Sequence, residues 1–90
     1  MIRVVVHRRA LKYYERLPRN EQERVRSSLA LLGENPAEYP GVVTMAGEWA
    51  GYRRIRVGNL RIIFWVDQEN AVIYVDHIGP RGDVYRLKLG

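Results

Sequence analysis

The spacing of the hydrophobic positions divides the chain into a strand, two helices and a strand-rich second half. Residues 2–6 form a short β-branched run, which is typical of a strand. Two segments with apolar residues at helical spacing follow, and Pro18 ends the first of them. The apolar positions are Ala10, Tyr14 and Leu17 in the first segment and Val25, Leu29 and Leu32 in the second. This pattern predicts two helices joined in a hairpin.

Polar residues and a glycine predict the bounds of the second helix. Asn20 is a residue type that favours the N-cap, and Glu23 three positions later would complete a capping box. Gly33 stands where a glycine would end the helix in a left-handed conformation. The second helix is therefore expected between Asn20 and Gly33.

The second half of the chain alternates with the period of a strand. Three runs, residues 52–57, 60–66 and 71–78, are separated by short polar turns, the first of them formed by Gly58 and Asn59. A short edge strand is expected before them at 42–45. The whole pattern predicts a single α+β domain over residues 1–90, with an N-terminal strand, a two-helix hairpin and an antiparallel three-stranded meander. Both helices are expected on one face of the sheet.

A two-residue turn determines which side chains meet across the first hairpin. With Gly58 and Asn59 in the turn, Arg56 lies opposite Arg61, and Arg53 falls on the core side at the sheet margin. The predicted core side holds Ile55, Val57, Leu60 and Ile62, and the other side holds Tyr52, Arg54, Arg56 and Arg61. Two directly opposed like charges cost about 0.2–1 kcal/mol. A polyanion bound between the arginines would offset that cost.

The charge distribution supports an anion-binding surface. The chain has 15 Lys+Arg against 10 Asp+Glu, a net charge of +5, and 13 of the basic residues are arginine. Residues 49–66 contain four arginines and no acid. The planar guanidinium suits phosphate, so this segment predicts a surface that faces a nucleic acid or another polyanion. A solvated polar face and a genome rich in arginine codons are the alternative explanations.

The composition excludes several kinds of site. Because the chain has no cysteine, it has no disulfide, thiolate zinc site or cysteine nucleophile. His7 and His77 alone do not make a tetrahedral metal site, so neither a metal nor a cofactor is expected. His77 shares its strand parity with Ile73 and Val75, which predicts a half-buried structural histidine. Neither a membrane-spanning run nor a secretory pattern is present, so a cytoplasmic location away from membranes is expected.

Two segments resemble a known family. Residues 52–64, YRRIRVGNLRIIF, resemble the "(Y/W)RIRVGDYRVIY" signature of the RelE/ParE toxin superfamily, and residues 78–85, IGPRGDVY, resemble its "I-x-H/P-R-x-x-V/A-Y" end. The order of strand, helices and meander is also similar, so the likeness covers essentially the whole chain. The resemblance implies the toxin of a type II toxin–antitoxin system.

The resemblance to RelE-type members also implies an activity and a set of site residues. Those members are metal-independent endoribonucleases that cut mRNA in the ribosomal A site, and a RelB-like antitoxin neutralises them. The substrate's 2′-hydroxyl attacks the adjacent phosphate and leaves a cyclic phosphate and a free 5′-hydroxyl. The residues that match the catalytic positions are Arg54, Arg56, Arg61, Arg81 and Tyr85, and those expected to bind RNA are Tyr52, Arg53, Arg54 and Arg56.

The implied roles follow from the chemistry. Arg56 and Arg61 would stabilise the charge of the phosphorane, Arg81 would assist the leaving oxygen, and Tyr85 would act as the base or orient the nucleophile. Two other functions are open at this stage. One is a ParE-like toxin that binds DNA gyrase without catalysis, and the other is a basic module that binds RNA or the ribosome.

Overall fold

The computed structural model describes residues 2–80, which include two helices, five strands and one 3₁₀ turn. The turn is Gly47–Trp49. The regular elements are β1 (Arg3–Val6), α1 (Arg8–Glu15), α2 (Arg19–Glu34), β2 (Val43–Thr44), β3 (Arg53–Val57), β4 (Leu60–Asp67) and β5 (Val72–Pro80). The N-terminal strand, the helical hairpin, the short edge strand and the meander are all confirmed.

The strands form one sheet in the order β1-β5-β4-β3-β2. Neighbouring strands from β5 through β4 and β3 to β2 are antiparallel. β1 pairs in parallel with β5, with Val4 opposite Ile73. The strand periodicity could not reveal this parallel pair, because it joins the two ends of the domain. The parallel pairing makes β1 an edge strand of the sheet and brings the start of α1 beside β5.

Both helices pack on one face of the sheet, as predicted. Ala10 of α1 and Val25 and Leu32 of α2 belong to a single buried cluster with inward-facing residues of β3, β4 and β5. The strand members of this cluster are Ile55, Val57, Leu60, Ile62, Phe64, Ile73, Val75 and Ile78. We call the opposite face of the sheet the open face, because in the described residues no helix covers it.

The predicted bounds of the second helix are wrong at both ends. Pro18 is the N-cap, its carbonyl accepting hydrogen bonds from the backbone N–H groups of Glu21 and Gln22 at 3.0 Å, so Asn20 lies inside the first turn. The proline favours this start because its fixed φ suits a helix entry. At the other end, Gly33 lies within the helix and Asn35 is the C-cap.

Gly33 has a packing role that its position in the sequence did not reveal. Its carbonyl accepts a hydrogen bond from the backbone N–H of Ile2 at 2.9 Å. A Cβ at this position would lie 3.1 Å from the Ile2 carbonyl oxygen and 3.3 Å from Cγ2 of Val4. The absence of a side chain therefore lets α2 lie directly against the beginning of the sheet.

Within residues 2–80, neither helix has the length and apolar character needed to cross a bilayer.

Candidate functional site

Three arginines line one shallow pocket where β3 and β4 form their hairpin. The register is as predicted, with Arg56 opposite Arg61 and Arg54 opposite Ile63. The pocket has a volume of about 280 Å³. Its lining residues are Gly41, Val43, Arg54, Ile55, Arg56 and Arg61, and we call it the arginine pocket. Gly58 has a φ of +60°, which allows the two-residue turn that holds this register.

The three arginines differ in how far they are buried. Arg61 is only 7% exposed, Arg54 is partly exposed, and Arg56 is exposed. Arg61 lies between Arg56 on one neighbouring strand and Gly79, which has no side chain, on the other. A guanidinium in such surroundings interacts with an anion more strongly than one in bulk water, because the local dielectric is lower. Arg61 is therefore the inner cation of the pocket, and Arg56 is at its rim.

An aromatic cluster lies beside the arginine pocket on the open face. Trp49, from the 3₁₀ turn, is buried against Ile63, with Tyr52 and Met45 packed around them. The Trp49 ring meets the Tyr52 ring edge to face, with centroids 5.3 Å apart. Two backbone hydrogen bonds close the segment between β2 and β3. The Tyr52 N–H donates to the Trp49 carbonyl at 2.9 Å, and the Met45 N–H donates to the Tyr52 carbonyl at 3.0 Å. This arrangement holds the chain leading into β3 against the sheet.

The predicted face of His77 is wrong, because a β-bulge reverses the alternation of β5. Phe64 pairs with Val75, whereas Ile63 pairs with His77, so Asp76 is an extra residue on that strand. His77 therefore points to the open face, although Ile73 and Val75 point to the core. It is 3% exposed, rather than half-buried, and its ring lies 5.3 Å from that of Trp49.

Asp76 connects the bulge to the start of α1. Its Oδ1 lies 3.9 Å from an Nη of Arg9, and its Oδ2 lies 3.4 Å from Nε2 of His77, without the angles of a hydrogen bond. Burial and the negative charge of Asp76 raise the pKa of the Tyr52 hydroxyl, against a smaller opposing effect of Arg9. The Tyr52 hydroxyl therefore stays neutral near pH 7 and can donate a hydrogen bond.

The burial of His77 predicts that the stability of the fold depends on pH. Burial lowers its pKa below the ordinary 6.5, and the charges of Arg9 and His7 act in the same direction, against an opposing effect of Asp76. The unfolded chain thus takes up the proton more readily than the folded chain. We expect the free energy of unfolding to be fully maintained above pH 6.5 and to fall as the pH drops below it, by at most about 1.4 kcal/mol per pH unit for one proton.

Urea unfolding at a series of pH values from 7.5 down to 5 measures this slope, which His77→Gln should reduce. The control is Leu31→Ala, a change at an exposed apolar side chain that carries no titratable group, which should retain the slope. An unaltered slope in His77→Gln would assign the pH dependence to other groups.

The structure brings together only part of the predicted site. Arg54, Arg56 and Arg61 share the arginine pocket, and Tyr52 lies in the aromatic cluster next to it. Arg53 pairs with Phe64, a core residue, and is not among the residues that line the pocket. The other two predicted catalytic residues, Arg81 and Tyr85, lie outside the described residues.

Trp49, Asp76 and His77 are features of this face that the sequence did not predict. Trp49 belongs to a connection without a clear period, so no alternation indicated its face. His77 was assigned to the wrong face and Asp76 was given no role, because a bulge leaves no mark in the pattern of hydrophobic residues. Within residues 2–80, no three metal-ligating side chains lie close enough together to hold an ion.

Comparisons with known proteins point to one family. Residues 4–85 match the family model described as the ParE toxin of the type II toxin–antitoxin system, parDE. A search of curated protein sequences found no significant match.

Several solved structures share the fold. The YoeB/ParE toxin from Agrobacterium tumefaciens has 18% identity and a TM-score of 0.78, over 89% of this chain and 99% of that one. The RelE–RelB complex of the archaeon Pyrococcus horikoshii OT3 contains a chain with 24% identity and a TM-score of 0.74, over 90% of this chain and 96% of that one. The isolated E. coli RelE toxin has 21% identity and a TM-score of 0.73, over 96% and 93%. At these identities the likeness shows the fold.

Proposed function

Because this chain belongs to the ParE toxin family of type II toxin–antitoxin systems, we propose that it is a toxin of the RelE type, a ribosome-dependent endoribonuclease that cuts mRNA. The single observation that carries the proposal is the convergence of Arg54, Arg56 and Arg61 on one pocket of the open face. A fold maintained only for its stability would gain nothing from opposing Arg56 and Arg61 directly across a hairpin.

The proposed reaction requires positive charge at one phosphate. The 2′-oxygen of a nucleotide attacks the adjacent phosphorus, the bond from phosphorus to the 5′-oxygen breaks, and a 2′,3′-cyclic phosphate and a 5′-hydroxyl are formed. The proton of the 2′-hydroxyl leaves during the attack, and the departing 5′-oxygen gains a proton. Arg61 and Arg56 hold the non-bridging oxygens, whose negative charge increases in the transition state. The positive charge comes from arginine side chains, so the scheme uses neither a metal nor a cofactor.

The 2′-hydroxyl and the leaving oxygen are assigned to the two residues outside the described part of the chain. We assign the proton of the 2′-hydroxyl to Tyr85, as base or as orienting group. Arg81 is assigned to the leaving oxygen, whose negative charge its guanidinium stabilises while water supplies the proton. Arg54 and Arg56 do not act as bases, because guanidinium is not deprotonated in proteins. Since tyrosine ordinarily titrates near pH ~10, the rate depends on positioning of the substrate. We therefore propose that the ribosomal A site presents the mRNA, and that the protein acts in the cytoplasm.

A RelB-like antitoxin is the proposed protein partner. Solved relatives of this fold include RelE bound to RelB from Pyrococcus horikoshii and from E. coli. In this chain an apolar groove runs between α1, α2 and β1, with Arg26 at its rim donating a hydrogen bond to the Tyr14 hydroxyl at 3.0 Å. The groove is lined by Val4, Val6, Leu11, Tyr14, Arg26, Leu29 and Ile78. It suits the apolar side of an amphipathic helix or an extended segment.

Mapping of mRNA 5′ ends in translating cells tests the proposed activity. We expect expression of the toxin to produce new 5′-hydroxyl ends within translated reading frames, at positions that keep a fixed relation to the codon. The cuts should vanish when translation initiation is blocked, because the ribosome positions the substrate. Co-expression of the adjacent small reading frame, as the source of antitoxin, should suppress them.

The second candidate function is a ParE-like toxin that binds DNA gyrase without catalysis, which the ParE family model favours. The same experiment separates the two candidates. Intact mRNA together with arrested replication would support gyrase as the target and contradict the endoribonuclease. Binding to ribosomes without any cut would indicate a basic RNA-binding or ribosome-binding module.

A further inference from the structure

A second aromatic pair lies on the open face, beyond the aromatic cluster. Trp65 of β4 and Tyr74 of β5 are directly opposed in register, and their rings stack with centroids 4.6 Å apart and planes inclined by 19°. Both side chains are partly exposed. On the next strand, Val5 is the register partner of Tyr74 and is 36% exposed. Three adjacent strands therefore present apolar side chains in one row.

Core packing does not account for this row. Neither Trp65 nor Tyr74 belongs to either buried cluster of the described residues. Two large aromatic side chains that remain partly exposed next to one another on a sheet are available for contact with a binding partner.

The charges of the open face as a whole favour a nucleic acid as the occupant of the row. The described arginines that border or lie on the open face are Arg3, Arg9, Arg54, Arg56 and Arg61, whereas the acids on its strands are Asp67 and Asp76. A second copy of this chain placed face to face would bring like charges together, which is unfavourable. Aromatic rings within a basic surface are the combination that binds single-stranded nucleic acid, since every base has a face that can stack.

The row continues directly from the arginine pocket. Arg61, Ile63 and Trp65 are successive residues on the open face of β4. At about 3.3 Å per residue, Arg61 and Trp65 are separated by about 13 Å. Trp49 and Tyr52 lie beside Ile63, between the arginine pocket and the pair formed by Trp65 and Tyr74. A single strand whose phosphate is bound in the pocket can therefore extend over the aromatic pair.

From this arrangement, we infer that the pair formed by Trp65 and Tyr74 is a base-stacking subsite for single-stranded RNA that is held at the arginine pocket. The inference rests on the proposed function and extends it, because it assigns the RNA a second contact remote from the reacting phosphate. The contact does not depend on the identity of the base.

Binding of synthetic single-stranded RNA to the purified full chain tests the subsite. In Trp65→Leu, the dissociation constant for an RNA of about ten nucleotides should rise by about 5- to 150-fold, the loss of one stacked base. The affinity for a dinucleotide, whose bases fall short of the pair when its single phosphate is bound in the pocket, should be unchanged. Trp65→Phe keeps an aromatic ring and should retain most of the affinity for the longer RNA.

Leu31→Ala is the matched control, because it removes another exposed apolar side chain, 58% exposed on α2, away from this face. It should bind both RNAs like the unmodified chain, and thermal unfolding should show that Trp65→Phe and Trp65→Leu are folded. Equal affinity of Trp65→Leu and the unmodified chain for the longer RNA would overturn the subsite. The subsite would also be overturned if Trp65→Leu abolished a concentration-dependent dimer and left the affinity for RNA unchanged. The proposed endoribonuclease depends instead on the mapped 5′ ends, so the two proposals can fail separately.

Discussion

Replacing Arg61 by alanine is expected to lower the rate of ribosome-dependent mRNA cleavage by about 10²- to 10³-fold, the effect of removing one preorganised donor to developing negative charge. Arg61 is 7% exposed in the arginine pocket, so its guanidinium acts in a less polar environment than that of Arg56. The variant should also bind RNA with a salt dependence that is smaller by about one counterion. Single-turnover cleavage on programmed ribosomes and salt titrations of RNA binding measure the two effects.

Arg53→Ala is the matched control for this prediction. Arg53 belongs to the same hairpin and carries the same charge, but it pairs with Phe64 and does not line the pocket. Its loss should leave the cleavage rate close to that of the unmodified chain. Arg61→Lys distinguishes the shape of the donor from its charge, because lysine keeps the charge and loses the planar fork. If Arg61→Ala and Arg53→Ala cleave equally well, the arginine pocket is not the catalytic site.

Replacing Tyr85 by phenylalanine is expected to lower cleavage by about 10²- to 10⁴-fold, the range for a lost proton-transfer group. The change removes one oxygen, so binding of the antitoxin and of the ribosome should be retained. The salt dependence of RNA binding should also be retained, since a neutral hydroxyl releases no counterion. The measurement is the cleavage rate at saturating ribosome concentration, with RNA affinity determined separately.

Tyr39→Phe provides the comparison for Tyr85→Phe. Tyr39 packs against the core beside the helices, so removal of its hydroxyl leaves the open face unchanged. It should cleave at the rate of the unmodified chain. A normal rate in Tyr85→Phe would show that the tyrosine has no part in the proton transfers and would return the question of the base to the other residues of the open face.

The hairpin shows how much local sequence can determine. The two-residue turn at Gly58 and Asn59 leaves one pairing of the flanking strands, and strict alternation then assigns each side chain to a face. The opposition of Arg56 and Arg61 could therefore be predicted, and with it the arginine pocket. The arrangement of both helices on one face could also be predicted, because each helix has one apolar stripe and the predicted core residues of the hairpin share one face of the sheet.

One error about the bounds of α2 arose from a competing signal nearby in sequence, and the other arose from a contact distant in sequence. Asn20 has the chemistry of an N-cap, but Pro18 starts the helix two residues earlier. Gly33 has the chemistry of a helix end, but α2 continues through it, and the missing side chain admits the backbone of Ile2. In both cases the residue type is one that favours a helix end, but the helix does not end at that residue.

The sequence alone determined the types of the elements, the register of the hairpin and the collection of arginines on one side, because turn chemistry and alternation act between near neighbours. Only the tertiary structure decided that β1 closes the sheet beside β5 and that Trp49 covers Ile63. It alone also decided that the bulge at Asp76 turns His77 to the open face. These features depend on pairing and packing between segments far apart in the chain, and one extra residue in a strand reverses every face that follows it.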